Sequence, residues 1–439
     1  MKLQPYFKKL KALETQDPEI AGLTKKEIER QLFTLSLIAS ENHASDAVLE
    51  ATGSRLTDKY SEGYPNERYY EGHEWIDQIE ILAQKRALAL YGLDSERWHV
   101  NVQPLSGSPA NLAIYAALMD PCKTGNVLMG LSLSAGGHLT HGHKVSFSGK
   151  FWEAVQYGVN EKTGLLDYDD VDRMAIKVRP RVIVSGFTAY PRIVNFVRFG
   201  DIAHSVGAYH VVDMSHYAGL VAGGAYPSPF MHHGKADVVM TTTHKSLRGP
   251  RGAVIFVNRK SEIAAKNNVD LPKAIDRAVF PGLQGGPHDH MTAAKAVCFK
   301  EAATREFRRY ASQVVKNAKT LAEELMKLKC VLVTGGTDNH LILLDIRPFG
   351  CDGKEAEKRL ARSGMIANRN TIPGDTKPLH PSGIRIGTPA ITTRGMKEEE
   401  MKIIALLLYE ALAGGDPPST YKKVRILCEQ FPIPHAEKR

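Results

Sequence analysis

Two apolar segments in the middle of the chain end in residues that could do chemistry. Lys245 follows the run at residues 238–243. A lysine at the carboxyl end of a buried strand is costly to charge, and its neutral amine attacks carbonyl compounds; the alternative is a lysine that extends to solvent. Asp213 follows the run at residues 210–212, where ligands usually bind in an open α/β sheet. Its alternative role is to cap the next helix.

A third segment, residues 106–111, places two serine hydroxyls, a glycine and backbone N–H groups ahead of an apolar helical pattern. A helix N-terminus of this kind suits phosphate, although a simple capped turn has the same residues. A phosphate site, a strand-end acid and a strand-end lysine, in that order, match the phosphate, ring nitrogen and aldehyde of pyridoxal 5'-phosphate. The combination predicts an enzyme that uses this cofactor.

The elements that must position these residues are short apolar runs separated by helical patterns, which predict an α/β fold with a mostly parallel sheet covered on both faces. The predicted strands are 99–102, 127–131, 182–186, 210–213, 238–243 and 253–257.

Thr24 is predicted to cap a helix that ends at Leu35. Residues 290–328 read as one helical stretch, followed by strands at 331–333 and 341–346 and helices at 354–363 and 397–412, the last being the final helix. We therefore expect an N-terminal arm plus large cofactor-binding domain at 1–290 and a small α+β domain at 291–439.

Composition excludes several classes of protein. The chain has 439 residues, and its longest apolar run, residues 112–119, is far shorter than the ~20 residues of a membrane-spanning helix. The five cysteines contain no CxxC pair, which argues against a disulfide framework and a thiolate zinc site. Acids rather than an apolar segment follow the first lysines, and we expect a cytoplasmic protein. No GxxxxGK[ST] or strand-following GxGxxG motif supports a nucleotide site.

Longer motifs then identify a family. The chain resembles serine hydroxymethyltransferase from about Leu35 to Gly395, in motifs that are long and in the family's order. They are LIASEN (37–42), YSEGYP with RYY (60–70), QPLSGSPAN (103–111), GGHLTHG (136–142), DMSH (213–216), TTTHKSLRGPRG (241–252), AVFPGLQGGPH (278–288) and SGIRIGTPA (382–390). The resemblance implies a fold-type-I pyridoxal-phosphate transferase that converts L-serine and tetrahydrofolate reversibly to glycine and 5,10-methylenetetrahydrofolate.

The resemblance also implies roles for individual residues. Lys245 would bind the cofactor covalently, Asp213 would pair with its ring nitrogen, and His138 would stack on its ring. Arg385 would hold the substrate carboxylate in the bidentate geometry of a guanidinium, and Glu62 would transfer a proton. Other cofactor contacts would come from Ser106, Gly107, Ser108, Thr188, His216, His244 and Gly285, with Tyr60 and Gly286 from the partner subunit. Ser40 and Tyr70 would assist at the substrate, and Leu133, Gly137, Leu139, Tyr69 and Asn370 would contact folate.

Some positions depart from the family pattern. Glu71 replaces a glycine, His43 replaces an aromatic residue, Leu105 replaces a tyrosine or histidine, Met240 replaces a threonine, and Arg369 replaces a lysine. Thr188 stands where serine is frequent. None of the first five is an expected cofactor contact. Glu71 and Arg369 lie near folate-linked segments, so the form of the folate carrier is left open.

Alternative functions remain at this point. A folate-independent aldolase for threonine or another 3-hydroxy amino acid needs the same cofactor residues. The net charge of +9 admits an RNA-binding protein, but basic residues occur singly or in pairs rather than in long runs. The three histidines of HLTHGH invite a metal site, yet no acid or cysteine accompanies them, and we expect no metal. Between His141 and Ser146 there is little room for the insertion that is associated with tetramers in the family, so the resemblance favours a homodimer. It also implies active sites that are shared between the two subunits.

Overall fold

The computed structural model describes residues 3–7, 10–231, 235–375 and 380–435. The chain folds into two compact units, one formed by Ala47–Ser312 and the other by Met1–Asp46 together with Gln313–Arg439. The boundary at 290/291 drawn from the sequence stays a prediction about how the chain divides into independently folding domains. None of the described helices is both long and apolar enough to cross a membrane.

The strands in the described part of the chain are β1 (Leu35–Ser36), β2 (Gly63–Tyr64), β3 (Glu67–Arg68), β4 (Trp98–Asn101), β5 (Val127–Leu131), β6 (Glu153–Tyr157), β7 (Val182–Gly186), β8 (Tyr209–Asp213), β9 (Val238–Thr242), β10 (Ala253–Asn258), β11 (Val331–Leu332), β12 (Leu341–Asp345), β13 (Met365–Ile366), β14 (Asn368–Asn370) and β15 (Gly383–Gly387).

The α-helices are α1 (Gln4–Phe7), α2 (Lys11–Gln16), α3 (Pro18–Phe33), α4 (Asp46–Thr52), α5 (Glu74–Leu90), α6 (Gly107–Leu118), α7 (Phe147–Phe151), α8 (Tyr168–Val178), α9 (Phe196–Ser205), α10 (Ala218–Ala222), α11 (Glu262–Lys266), α12 (Leu271–Arg277), α13 (Asp289–Ala302), α14 (Arg305–Lys327), α15 (Gly353–Arg362), α16 (Pro389–Thr393), α17 (Glu398–Leu412) and α18 (Pro417–Gln430).

Ala47–Ser312 contains a seven-stranded sheet in the order β4-β10-β9-β8-β7-β5-β6. Strands β6, β5, β7, β8 and β9 are parallel, whereas β10 is antiparallel to both of its neighbours. Every residue of β5, β7, β8, β9 and β10 is buried, as expected for apolar strands covered on both faces. The predicted α/β class is confirmed. The six predicted strands are confirmed to within one residue at each end; β6, which is partly exposed and lacks a continuous apolar run, was not predicted.

The register of this sheet brings the candidate residues to one edge. Gly186 pairs with Asp213, and Asp213 pairs with Met240, so β7, β8 and β9 end side by side. Because parallel strands place their carboxyl ends at the same edge, Thr188, Asp213 and Lys245 all follow strands at that edge.

The second unit contains a four-stranded antiparallel sheet in the order β11-β12-β15-β14 and a parallel pair of β1 with β13. Its core combines apolar residues of the sheet with those of α14, α15, α17 and α18. Arg385 occupies the centre of β15, where it pairs with Leu343 of β12 and Asn368 of β14.

Three helix predictions are wrong in detail. Asp17, not Thr24, caps α3, because its Oδ1 accepts the backbone N–H of Ile20 at 3.0 Å; Thr24 lies inside the helix and donates its hydroxyl to the Ile20 carbonyl at 2.8 Å. The stretch 290–328 is two helices, α13 and α14. Helix α17 is not the last, since Asp416 caps a further helix, α18, by accepting the N–H of Ser419.

Candidate active site

Asp213 is a buried carboxylate at the end of β8, with 8% of its surface exposed. Its Oδ2 accepts hydrogen bonds from Nδ2 of Asn111 at 3.0 Å and Nε2 of His141 at 3.3 Å, and its Oδ1 accepts the N–H of Ser215 at 3.0 Å. Burial raises the pKa of Asp213, but the hydrogen bond from His141 and the charge of Lys245 outweigh it and hold the pKa below its ordinary value. The carboxyl is therefore ionised.

His138 is held neutral in a fixed orientation beside this carboxylate. Thr140 Oγ1 accepts from Asn111 Nδ2 at 2.9 Å and can then donate to Nδ1 of His138 at 2.7 Å. The N–H of Thr140 also points to that Nδ1, at 3.2 Å, so Nδ1 is the acceptor and Nε2 carries the proton. Burial lowers the pKa of His138 to about 4. An uncharged imidazole is suited to pack against an aromatic ring.

Lys245 lies in a tight turn after β9. The N–H of Arg248 donates to the Lys245 carbonyl at 3.1 Å, and the N–H of Gly249 donates to the Thr243 carbonyl at 2.8 Å. Arg248 has a left-handed φ of 62°, and its guanidinium lies 4.2 Å from the ring centre of Tyr310. The turn thus fixes the backbone of Lys245, whose side chain is only partly buried.

Electrostatics show that Lys245 shares one site with the buried groups. Its charge contributes to the low pKa of Asp213 and to that of His138. Burial, and then the charges of Lys245 and Arg251, lower the pKa of His244 to about 3. The structure therefore brings together the amine, the carboxylate and the imidazole that the sequence predicted would act together.

The serine-rich turn at residues 106–108 begins α6. Ser106 is the N-cap residue, but its side chain makes no capping hydrogen bond. A Cβ at Gly107 would lie 2.9 Å from Cγ2 of Thr242, so the glycine allows the turn to lie against the end of β9. Thr242 Oγ1 is buried and has no hydrogen-bond partner in the described residues. Free helix N–H groups and an unpartnered buried hydroxyl fit a phosphate ligand.

Thr188 and His216 complete this edge of the sheet. The Thr188 hydroxyl donates to the carbonyls of Gly137 at 2.9 Å and Gly136 at 3.2 Å, which ties the segment after β7 to the one that carries His138. His216 is 3% exposed, and its carbonyl accepts the hydroxyl of Ser246, the neighbour of Lys245, at 2.9 Å. With the unpartnered Thr242 hydroxyl, these residues fit pyridoxal phosphate.

A second group of expected site residues lies at the surface of the same unit. Tyr70 donates its hydroxyl to Oε2 of Glu62 at 3.2 Å, and the rings of Tyr60 and Tyr70 meet edge to face with centres 6.0 Å apart. A Cβ at Gly285 would lie 3.2 Å from Glu62 Oε1, and one at Gly286 would lie 3.3 Å from the ring of Tyr60. We call these five residues the tyrosine cluster. Tyr60 and Tyr70 are 60% and 50% exposed in the single chain.

The expected carboxylate ligand Arg385 lies in the other unit and is buried, with 9% of its surface exposed. Its Nε donates to Oδ1 of Asn368 at 3.0 Å. Burial lowers the pKa of Arg385 to about 10, so the guanidinium stays charged at neutral pH. Ser40, in the turn after β1, is partly buried.

The residues expected to contact folate are mostly exposed. Tyr69 is 78%, Leu139 42% and Leu133 37% exposed. Gly137 packs closely, since a Cβ there would lie 2.0 Å from the Leu131 carbonyl oxygen. In the other unit, Asn370 ends β14 and donates from Nδ2 to the Thr371 carbonyl at 2.7 Å.

The positions that depart from the family pattern have local roles. Arg369 pairs with Glu357 at 2.7 Å, and the backbone carbonyl of Glu71 accepts from Lys59 at 2.9 Å. The N–H of Leu105 donates to Gln284 Oε1 at 3.1 Å. Met240 is fully buried, and burial lowers the pKa of His43 to about 4.

Sequence reasoning missed the residues that orient the site. His141 was weighed as a metal ligand, whereas its Nε2 donates to Asp213 and its Nδ1 accepts the N–H of His138. Asn111 appeared only inside a motif. A usable signal was its spacing, since Asn111 lies four residues after Gly107 on the same face of α6.

Two comparisons with known proteins find relatives of the chain. A family model described as serine hydroxymethyltransferase matches residues 13–408. The chain is also similar to the serine hydroxymethyltransferase of Desulfotalea psychrophila (strain LSv54 / DSM 12343), with 51% identity over 431 residues that cover 97% of this chain and 96% of that protein. Both matches extend across all the candidate residues described above.

Proposed function

The chain belongs to the serine hydroxymethyltransferase family, and from this premise we propose how its residues divide the work of interconverting serine and glycine. The reaction uses pyridoxal phosphate as cofactor and tetrahydrofolate as the carrier of the one-carbon unit. The observation that carries the proposal is the ionised, buried Asp213 within the electrostatic reach of Lys245 at the edge where β8 and β9 end.

Four parts of the unit formed by Ala47–Ser312, which we call the large unit, would hold the cofactor. The turn at residues 106–108 would bind its phosphate, Asp213 its ring nitrogen, His138 the face of its ring, and Lys245 its aldehyde carbon. When bound, the cofactor supplies an electron sink for negative charge at the amino acid's α-carbon. Thr188, His216 and His244 would line the same site.

Asp213 sets the charge state that this chemistry needs. Its carboxylate accepts two side-chain hydrogen bonds and remains ionised although it is buried. A fixed negative charge of this kind keeps a proton on a pyridine nitrogen placed against it. His141 and Asn111 hold the carboxylate in place, so we assign them a positioning role.

Lys245 and Arg385 act on opposite ends of the amino acid in this scheme. The Lys245 amine would be the nucleophile that binds the cofactor, and as a free amine it would be able to carry a proton. Arg385 remains cationic and would hold the substrate carboxylate in bidentate geometry, with assistance from Ser40 and Tyr70.

Glu62 is assigned to the proton transfer that accompanies one-carbon transfer. The hydrogen bond to Glu62 raises the pKa of Tyr70, so the phenol keeps its proton and donates a hydrogen bond to the carboxylate. The exposed Leu133, Leu139 and Tyr69 and the residues Gly137 and Asn370 are proposed to contact folate.

We propose that the protein is a cytoplasmic homodimer with two shared active sites. The tyrosine cluster is exposed in the single chain, although tyrosines of this kind usually bury their rings. Tyr60, Glu62 and Gly286 would therefore reach the partner's cofactor. Closed two-fold symmetry makes such sharing reciprocal.

The function is tested by assaying purified protein for serine cleavage with and without tetrahydrofolate. We expect glycine formation that depends strongly on tetrahydrofolate. A rate that is the same without tetrahydrofolate, together with efficient threonine cleavage, would favour the folate-independent aldolase instead. RNA binding that survives saturation with cofactor and folate and weakens with salt would indicate a further, nucleic-acid role.

A further inference from the structure

Lys295 is a fully buried lysine that none of the roles above uses. It lies on α13 and is 2% exposed. Its Nζ donates to the carbonyls of Val102 at 2.6 Å, Pro104 at 3.0 Å and Ala253 at 3.1 Å. Three acceptors match the three N–H bonds of an ammonium group.

These carbonyls belong to the segment that leads into the serine-rich turn. Val102 follows β4, Pro104 lies two residues before Ser106, and Ala253 begins β10. The N–H of Ala253 also donates to the Pro104 carbonyl at 3.0 Å. Lys295 therefore joins two neighbouring strands directly behind residues 106–108.

Gln284 fixes the same segment from another side. Its Nε2 donates to the Gln103 carbonyl at 3.1 Å, and its Oε1 accepts the N–H of Leu105 at 3.1 Å. The backbone from Val102 to Leu105 is thus held at every residue by a side chain from elsewhere in the fold. Little freedom remains for the turn that follows.

The burial of this lysine is costly, which argues that its contacts matter. Burial lowers the pKa of Lys295, against the opposing effect of the Glu80 carboxylate, and the three carbonyl acceptors favour the charged ammonium. Glu80 in turn accepts from Gln103 Nε2 at 2.9 Å, so this carboxylate is bound to the same segment. An apolar residue would fill this place in the helix without that cost.

We propose that Lys295 is a positioning residue for the cofactor's phosphate, whose ammonium fixes residues 102–104 against Ala253 and so aims the turn at residues 106–108. The inference rests on the proposed placement of the phosphate at that turn. It predicts a defect specific to phosphate, whereas a lysine that only stabilises the fold would affect every ligand of the site alike.

The test compares the affinity of the apoprotein for pyridoxal phosphate with its affinity for pyridoxal, which lacks the phosphate, both followed by absorbance. Lys295→Met should weaken pyridoxal phosphate binding by about tenfold, because charged hydrogen bonds to the segment are lost. Pyridoxal affinity should change by less than about twofold. Lys300→Met, an exposed lysine on the same helix, is the matched control and should change neither.

Each other outcome overturns the proposal in a recognisable way. An equal loss for both ligands would make Lys295 a general structural residue, and no loss would remove its role altogether. Equal wild-type affinity for the two ligands would instead refute the phosphate placement itself. If Lys295→Met does not fold, Lys295→Gln, whose amide can still donate to two carbonyls, must show the same selective loss.

Discussion

The imidazole of His141 donates from Nε2 to Oδ2 of Asp213 at 3.3 Å, while its Nδ1 accepts the backbone N–H of His138. One histidine therefore connects the residue assigned to the cofactor's ring nitrogen with the residue assigned to its ring face. This connection makes Asp213 and His138 parts of a single arrangement. It also shows two kinds of residue in the site: His141 orients it, whereas Asp213 and His138 are the residues assigned to touch the cofactor.

The first prediction concerns Asp213 and its support. Asp213→Asn removes the charge that stabilises a protonated ring nitrogen, and serine cleavage should fall by about 100-fold or more. His141→Gln should cause a smaller loss, since the carboxylate stays in place but loses an oriented donor. Initial rates at saturating cofactor measure both. A larger loss for His141→Gln than for Asp213→Asn would contradict the division into acting and positioning residues.

The second prediction concerns Glu62. Glu62→Gln should lower the tetrahydrofolate-dependent cleavage of serine by about 10² to 10⁴-fold, the usual size of a general acid–base contribution. Folate-independent cleavage of a 3-hydroxy amino acid should keep much of its rate, because that reaction does not need the proton transfer assigned to Glu62. The two rates are measured on the same preparation. An equal loss of both would disprove the assignment.

The third prediction is a dependence of apoprotein stability on pH. The folded-state pKa of His138 is about 4, below the ordinary value near 6.5 for an unfolded chain. Between pH 6.5 and pH 4 the unfolded chain binds a proton at this histidine, whereas the folded chain does not. The contribution of neutral His138 to the free energy of unfolding is therefore complete above pH 6.5 and is lost as the pH falls toward 4.

This contribution is up to about 3 kcal/mol, and His138→Gln should remove it. Denaturant unfolding of apoprotein between pH 7.5 and pH 4.5 measures the effect. Above pH 7 the difference between wild type and variant should be constant, which provides an internal control. If the two curves stay parallel down to pH 4.5, His138 is not a neutral buried histidine.

The fourth prediction is complementation between inactive chains. Lys245→Ala and Glu62→Gln proteins, unfolded together and refolded as an equal mixture, should give about half heterodimers. With shared sites, one of the two sites in each heterodimer is intact, and about a quarter of wild-type activity should return. Each variant refolded alone is the control. Absence of recovery in a sample that contains heterodimers would rule out the shared site.

Much of the large unit was predictable because its strands are apolar on both faces. Asp213 and Lys245 stand at the ends of such strands, and the position of a strand end is a strong local signal. The edge strand β6 lacks that signal, since only its last residue is buried. Asp17 rather than Thr24 caps α3 because Pro18 occupies the first helical position, where a missing N–H costs nothing.

The hydrogen bonds that orient the site were not predictable. His141 reaches Asp213 across 72 residues of chain, and no spacing rule connects positions that distant. The burial of Lys295 was not predicted, because it depends on how α13 packs against the residues that follow β4 and begin β10. The apolar neighbours Ala294 and Ala296 were the available signal.

The most direct test of the account is to find which lysine carries the cofactor. Holoprotein is reduced with borohydride, digested and mapped by mass spectrometry, with Lys245→Ala as the control that should bind cofactor without covalent retention and without turnover. We expect the reduced cofactor on the peptide that contains Lys245 in the wild-type protein. Recovery of the cofactor on Lys295 or any other lysine would contradict the site as described.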